Sequence, residues 1–512
     1  MFDVNPFNLD ALIDISVASS HRGSRRAIAN KQHIKFLGEY LPNIGAETIV
    51  VEKKYVDRAF LEDYAGYYSR CFQEYNRFCT RLHFFKVPFS KGDLEAALLG
   101  RNDALKNTLN ENYCGFIVLR PLPDKIFGRT CLTTYPNNGA IREFPPNRDY
   151  PVNLFGIDLT VNTLAHQEQD REVAACATSA LWSLFNSTSK LFQHSIPSPV
   201  EITKAATRYN TQPSRSIPNQ GLSALQQATA IRSVGLETLL IGVKQEGEAV
   251  QINLLKAAFY AYVKAKIPIL ISTNLIVDNT DKKNLGFHAI TGIGYHFGNE
   301  APSPIRDNAP VLKSTQIDRI YVHDDQVGPF SKLSFENNEI TTSWTHEGGA
   351  DKVFAEPRHI IVPLYHKIRS EFLDIYEQIT SFDAAIEQYR GHRDNFDARL
   401  CWDIYLTDIS TLRKEYLHNT TIPDDIRINI LAENKPKYLW RATALHKDTV
   451  VLDLLFDATD LSTDTFLCDA VPYEASLPTF AASISSRLDR MTLNQTAVSI
   501  FTKLAELQPA DK

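Results

Sequence analysis

An α+β protein is what the sequence predicts, and three observations carry the prediction. Between about Tyr150 and Leu364 helical periodicity comes first and strand periodicity second, so the two are segregated. The stretches on either side mix amphipathic helical patterns with short runs of Val, Ile and aromatics bounded by Gly, Pro or Asn. The composition, 44% hydrophobic and 22% charged with 22 Gly and 25 Pro in 512 residues, suits a chain that buries a large core. Three parts are expected: an N-terminal α+β domain over 1–153, a middle domain over 154–364 and a C-terminal α+β domain over 365–512.

The first part opens with helical patterns over Leu9–Ser19 and Arg25–Tyr40, then a short strand at Thr48–Val51. An aromatic stretch follows from Tyr64 to Phe89, interleaved with Arg70, Arg77 and Arg81. Tyr68, Phe72 and Tyr75 sit at helical spacing, which reads as a core stripe rather than a base-stacking platform. Tyr113–Leu119 is a buried strand that ends where Arg120-Pro-Leu-Pro123 denies further ladder bonding.

In the middle part a helix is expected from Cys176 to Phe192, with Leu181, Leu184 and Phe185 on one face, stopping before Pro197. Ser198-Pro199 caps Val200–Arg208, Gly221 and Gly235 bracket Leu222–Val234, and Gln251–Lys264 reads as an alanine-rich amphipathic helix. Strands follow at Ile267–Thr273, Gly286–Phe297, Asp318–Asp324 and His359–Leu364. The last part pairs a long helix, Ile368–Tyr389, with strands at Leu400–Tyr405, Lys437–Ala444, Val450–Phe456 and Phe466–Val471. Helices near Asp424–Ala432 and Asn494–Leu507 complete it.

A net charge of −6 with no basic block argues against a nucleic-acid partner. Asp3, Asp10 and Asp14 make the first twenty residues unsuitable as a signal peptide, and no apolar run is long enough for a membrane span. A soluble, cytoplasmic chain is expected. Seven scattered cysteines with no CxxC pair argue against a disulfide framework and a structural zinc site.

Chemistry concentrates in the middle part. Arg171-Glu-Val-Ala-Ala-Cys-Ala-Thr-Ser-Ala-Leu-Trp182 places Cys176 at a helix start among small residues, where free backbone N–H groups and the helix dipole favour a thiolate and a developing oxyanion. On that stretch alone, Cys176 as a small apolar core residue competes with Cys176 as a nucleophile. Downstream, Gly286-Phe-His-Ala-Ile-Thr-Gly-Ile-Gly-Tyr295 carries His288 on a strand, and Arg319-Ile-Tyr-Val-His-Asp-Asp-Gln-Val-Gly-Pro329 ends the next strand in carboxylates. A thiol nucleophile needs an imidazole to move its proton and a third group to orient that imidazole, and the order Cys, His, Asp can supply all three.

With these motifs the middle 200 or so residues resemble the papain-like cysteine peptidases. The likeness is greatest to the bacterial group that includes the leader-cleaving peptidases of bacteriocin exporters. The features that carry it are Cys-Ala-Thr-Ser-Ala-Leu-Trp at a helix start, the helix-to-strand step Ala265-Lys-Ile-Pro-Ile-Leu-Ile271, His288-Ala-Ile-Thr-Gly-Ile-Gly-Tyr295 and Tyr-Val-His-Asp324. The resemblance implies a papain-like core with flanking domains at both ends, needing no cofactor or metal. It makes Cys176 the nucleophile, His288 the general base and acid and Asp324 the orienting carboxylate, where classical papain relatives carry Asn. It also implies an upstream Gln as the side-chain donor of the oxyanion hole. Gln169 and Gln167 both precede the cysteine, and Gln169 is preferred although its spacing is one residue longer than the family's commonest. The Cys motif lacks the family's frequent Cys-Gly.

The expected function is therefore a cysteine peptidase that cleaves a peptide or isopeptide bond in a protein or peptide partner through an acyl-enzyme. The same triad could serve acyl transfer or deamidation, or the fold could persist as an inactive scaffold. Asp325 competes with Asp324 for the third role. A metal reading of His296, His323, Asp324 and Asp325 is set below a solvated strand end, and the acidic run Asp453, Asp457, Asp460, Asp464 and Asp469 reads as an exposed hairpin. Ser331–Asp351, with Trp344, His346 and Gly348-Gly349, fits a flap over the cleft or a plain surface hairpin equally.

Overall fold

The computed structural model describes residues 2–507, apart from Asn138, Ala140, 210–214, Glu246, 279–282, 345–350, 391–398, 461–465, Ala475, 486–487 and 489–490. Helix and strand are mixed, in an α+β arrangement that divides into two units interleaved along the chain. One holds 1–246, 266–296 and 319–363; the other holds 247–265, 297–318 and 364–512.

In the first unit, Phe2–Pro6, Thr48–Tyr55, Cys79–Phe85, Tyr113–Leu119 and Phe127–Leu132 form an antiparallel sheet in chain order. Both faces are buried, because alternate residues go to opposite sides. Ile49, Val51, Leu82 and Ile117 join a core with Leu12, Ile34 and Leu37 from the helices Leu9–Ser19 and Gln32–Asn43. Val50, Phe116 and Val118 join a second core with Ala177, Leu181 and Leu184 of the helix Cys176–Phe192. Residues before 153 and the cysteine-bearing helix thus share one hydrophobic core.

The strands Ile269–Val277, Asn284–Phe297, Ile317–Asp324, Gly328–Glu336, Glu339–Thr341 and Val353–Leu364 pair in succession, and the last returns to the first, so six strands close into a ring. Closure leaves no free edge within the ring. Asn337 and Asn338 both have positive φ, 50° and 63°, and make the two-residue connection between Glu336 and Glu339 that a hairpin's right-handed twist favours. Thr291 Oγ1 donates to Ala180 O at 2.7 Å, and Leu270, Ala289 and Ile361 share the core of the Cys176–Phe192 helix. The helix is thereby seated against the strand that carries His288.

The second unit has a six-stranded sheet in the order Ser303–Pro304, Val311–Leu312, Cys401–Asp408, Tyr438–His446, Thr449–Asp457, Leu467–Pro472. Its helices include Ile252–Val263, Phe372–Arg390, Asp424–Ala432 and Gln495–Glu506. Most boundaries lie close to those expected from periodicity.

Four expectations are corrected. Arg25–Tyr40 is two helices, Arg25–Ala29 and Gln32–Asn43, because Lys31 takes an extended backbone (φ −64°, ψ 139°) and sends its ammonium into a buried ion cluster. The stripe Tyr68, Phe72, Tyr75 is not helical throughout: Tyr68 is buried, but a short 3-10 turn ends at Arg70 and leaves Phe72 fully exposed. The Gln251–Lys264 helix is not amphipathic, since every residue from Leu254 to Val263 is buried. The acidic run is not an exposed hairpin, although Asp464 lies outside the described residues. Asp453 is wholly buried and accepts from Arg441, from Tyr416 OH at 2.7 Å, from Tyr473 OH at 2.9 Å and from Thr443 Oγ1. Burial alone would raise its pKa, but Arg441 and the Thr443 and Tyr416 hydroxyls hold it below the usual carboxylate value.

Candidate active site

Cys176 is the first residue of its helix. Ala175 before it has an extended backbone (φ −92°, ψ 178°), and the first helical turn contains no acidic residue to offset the positive end of the helix dipole. The approach to the helix is fixed by Asp170, whose Oδ1 accepts from the backbone N–H of Glu172, Val173 and Ala174 at 3.0, 3.0 and 2.8 Å. Tyr68 OH donates to the other oxygen at 2.8 Å. Cys176 itself is half-buried and free.

His288 lies opposite Thr273 in its strand and is buried. Its Nε2 donates to Asp324 Oδ1 at 2.9 Å, and the Cys176 side chain is among the groups that favour a charge on the ring. With Nε2 given to the carboxylate, Nδ1 is the nitrogen left for the thiol. Burial opposes a charge on this ring, but the Asp324 carboxylate and its hydrogen bond, the Cys176 side chain and Asp325 outweigh it, so the His288 pKa is raised well above its ordinary value. Burial likewise pushes Asp324 up, yet His288, the Gln326 N–H and the Trp344 indole N–H leave its pKa lowered. Asp324 ends its strand, opposite Gly328, where the ladder stops and the side chain turns to the histidine.

Trp344 completes the arrangement. Its Nε1 donates to Asp324 Oδ2 at 2.7 Å, and its ring meets His288 edge to face, with centroids 5.4 Å apart at 80°. Trp344 thus packs on the His288–Asp324 pair, while His346 and Gly348-Gly349 lie outside the described residues. Spacing alone does not single Trp344 out, because its role is set by a chain reversal of twenty residues.

The strand end is not solvated. His323, Asp324 and Asp325 are all buried. His323 spends both ring nitrogens on backbone, donating to Leu164 O at 2.9 Å and accepting from Phe330 N at 3.2 Å, so it faces away from Asp324 and is no ligand. His296 is likewise outside the cluster that does form, in which ligand atoms of His288, Asp324 and Asp325 all lie within 4.8 Å of one another. Asp325 Oδ1 is 3.8 Å from His288 Nε2, and neither of its carboxylate oxygens has a hydrogen-bond partner among the described residues. Burial, opposed by His288 and reinforced by Asp324, pushes its pKa up to about 7.

Gln167 and Gln169 are both buried in the segment leading to Asp170. Gln167 Nε2 has no hydrogen-bond partner among the described residues. Between the two, Glu168 is completely buried and takes Lys31 Nζ at 2.8 Å, Lys125 Nζ at 3.3 Å and the Phe127 N–H at 3.1 Å. Arg120 donates to its backbone carbonyl at 2.9 Å. Burial alone would raise the Glu168 pKa, but His33 and the two lysines bring it down to about 2. His166, on the same segment, donates through Nε2 to the backbone carbonyl of Asp324 at 3.0 Å. These contacts tie the glutamine-bearing segment to the first 130 residues on one side and to the Asp324 strand end on the other.

Burial pushes up the pKa of most other thiols: Cys114 to about 11, Cys131, Cys401 and Cys468 to about 12, and Cys79 further still. No protein-family model matches the chain, and no curated protein matches it significantly.

Proposed function

We propose that this chain is a thiol hydrolase of papain-like plan, cleaving a peptide or isopeptide bond in a protein or peptide partner through an acyl-enzyme on Cys176. The observation that carries the reading is His288 held by Asp324 through a 2.9 Å hydrogen bond, with the Cys176 thiol, at a helix start, among the groups that raise the pKa of that imidazole. A helix bearing the thiol against a closed ring of antiparallel strands supports the papain-like plan.

Each group then has one task. The thiol proton moves to His288, and Asp324 stabilises the imidazolium and keeps its Nε2–H in place. Cys176 Sγ attacks the carbonyl carbon; as the C–S bond forms, the oxyanion is met by backbone N–H groups of the first helical turn and by the Gln169 amide. The C–N bond breaks as the imidazolium protonates the leaving amine. Water, deprotonated by His288, then displaces the thiolate and releases the carboxylic acid. Trp344 keeps the His288–Asp324 pair out of solvent, where its electrostatic attraction is worth most.

The test is the pH profile of iodoacetamide alkylation, mapped to each cysteine, in the parent chain and in His288→Ala. Cys176 is expected to react at about pH 6, well below the ordinary thiol value of about 8.5, and to lose that reactivity in the variant. A Cys176 that tracks the other six would overturn the reading. Peroxide should also consume Cys176 first.

A further inference from the structure

We propose that His288 Nε2, Asp324 Oδ1 and Asp325 form an inhibitory Zn²⁺ site at the back of the candidate active site.

The donor atoms lie within 4.8 Å of one another in a pocket where all three residues are buried. Nε2 is 2.9 Å from Asp324 Oδ1 and 3.8 Å from Asp325 Oδ1. Zinc bonds of about 2.0–2.2 Å in a tetrahedron place neighbouring ligand atoms about 3.3–3.5 Å apart, so the two observed separations bracket the required one. Asp325 supplies the independent indication of a ligand. Its side chain is 3% exposed, aimed at His288, and neither oxygen has a hydrogen-bond partner among the described residues. Buried carboxylates are ordinarily paired or coordinate a metal. The Trp344 contact uses Asp324 Oδ2 and leaves Oδ1 as the oxygen turned to the histidine.

The donor set selects the ion. One imidazole and two carboxylates suit a borderline cation content with four ligands, the fourth being water. Ca²⁺ asks for six to eight oxygens, and Mg²⁺ keeps most of its own waters. Zn²⁺ binding at Nε2 releases the proton held there to solvent and replaces the hydrogen bond to Asp324. The ligated ring could then give up its Nδ1 proton only as an imidazolate, a far weaker acid than an imidazolium, and the leaving amine would stay unprotonated. The inhibitory consequence rests on the thiol-hydrolase reading; the binding does not.

Isothermal titration of the full chain with ZnCl₂ at pH 7.5 tests the site, after circular dichroism shows that each variant is folded. The parent is expected to bind one Zn²⁺ per chain. Asp325→Asn should weaken that binding at least tenfold, and Cys176→Ser should leave it within twofold, because the thiol is not a ligand. Should Asp325→Asn fail to fold, Asp325→Ser is read the same way. Parent affinity retained in the Asp325 variant, no stoichiometric binding by the parent, or equal loss in Cys176→Ser would each overturn the proposal. The alkylation profile, run in EDTA, reports on the Cys176–His288 pair separately, so either reading can fail without the other.

Discussion

Asp324 and Asp325 are chain neighbours and equally buried, yet among the described residues only the Asp324 carboxylate is hydrogen-bonded: it holds His288 at 2.9 Å and Trp344 at 2.7 Å, while Asp325 stops 3.8 Å short of the same histidine. Two adjacent carboxyl groups around one imidazole therefore have opposite electrostatic fates, one lowered in pKa and one raised. Asp324→Asn should lower Cys176 alkylation at pH 6 by at least about 100-fold, because an amide neither fixes the tautomer nor stabilises the imidazolium. Asp325→Asn, in EDTA, should change it by less than about threefold. Rate constants for the two variants, measured side by side, check the assignment.

Asp325 should also govern stability. Its folded pKa, about 7, is above the unfolded value, so its contribution is intact below about pH 4 and is lost as pH rises through 7. Asp325→Asn should therefore stabilise the chain at pH 8 relative to pH 4, by up to about 4 kcal/mol. Urea midpoints of parent and variant at the two pH values measure the difference, and an equal effect at both would refute it.

Glu168 works with the opposite sign. Its folded pKa, about 2, is below the unfolded value, so its contribution is present above about pH 4.5 and lost as pH falls toward 2. Glu168→Gln leaves Lys31 and Lys125 without their buried partner and should cost about 3–5 kcal/mol at pH 7, narrowing toward pH 2. Urea unfolding across that range reads both the size and the direction.

Trp344 is half-buried, so Trp344→Phe should change the melting temperature little while removing the indole donor to Asp324. Alkylation of Cys176 at pH 6 is expected to slow by about tenfold, the scale of one lost hydrogen bond to a charged group. Unchanged alkylation would remove Trp344 from the site.

Much of this molecule is written locally. The helix starting at Cys176, the strand through His288 and the strand ending at Asp324 were legible because periodicity, small residues before the helix and a break in ladder pairing all act within a few residues. Helix boundaries such as Asp424–Ala432 followed from the same signals. At Phe72, Asp453 and the Gln251–Lys264 helix local pattern and structure part for one shared reason, since exposure is set by what packs from elsewhere in the chain.

The sequence by itself determined most of the elements and the order Cys176, His288, Asp324 along the chain. Tertiary structure decided which carboxylate meets the histidine, since His323 is drawn to Leu164 and Phe330 while Asp324 turns to His288. It also brought Trp344 back to Asp324 and set Lys31 and Lys125 on Glu168 beside the two glutamines. Side-chain direction at a strand end, and the burial of a charge, depend on partners far along the chain, and only the closed ring of strands and the shared core bring those partners within hydrogen-bond reach.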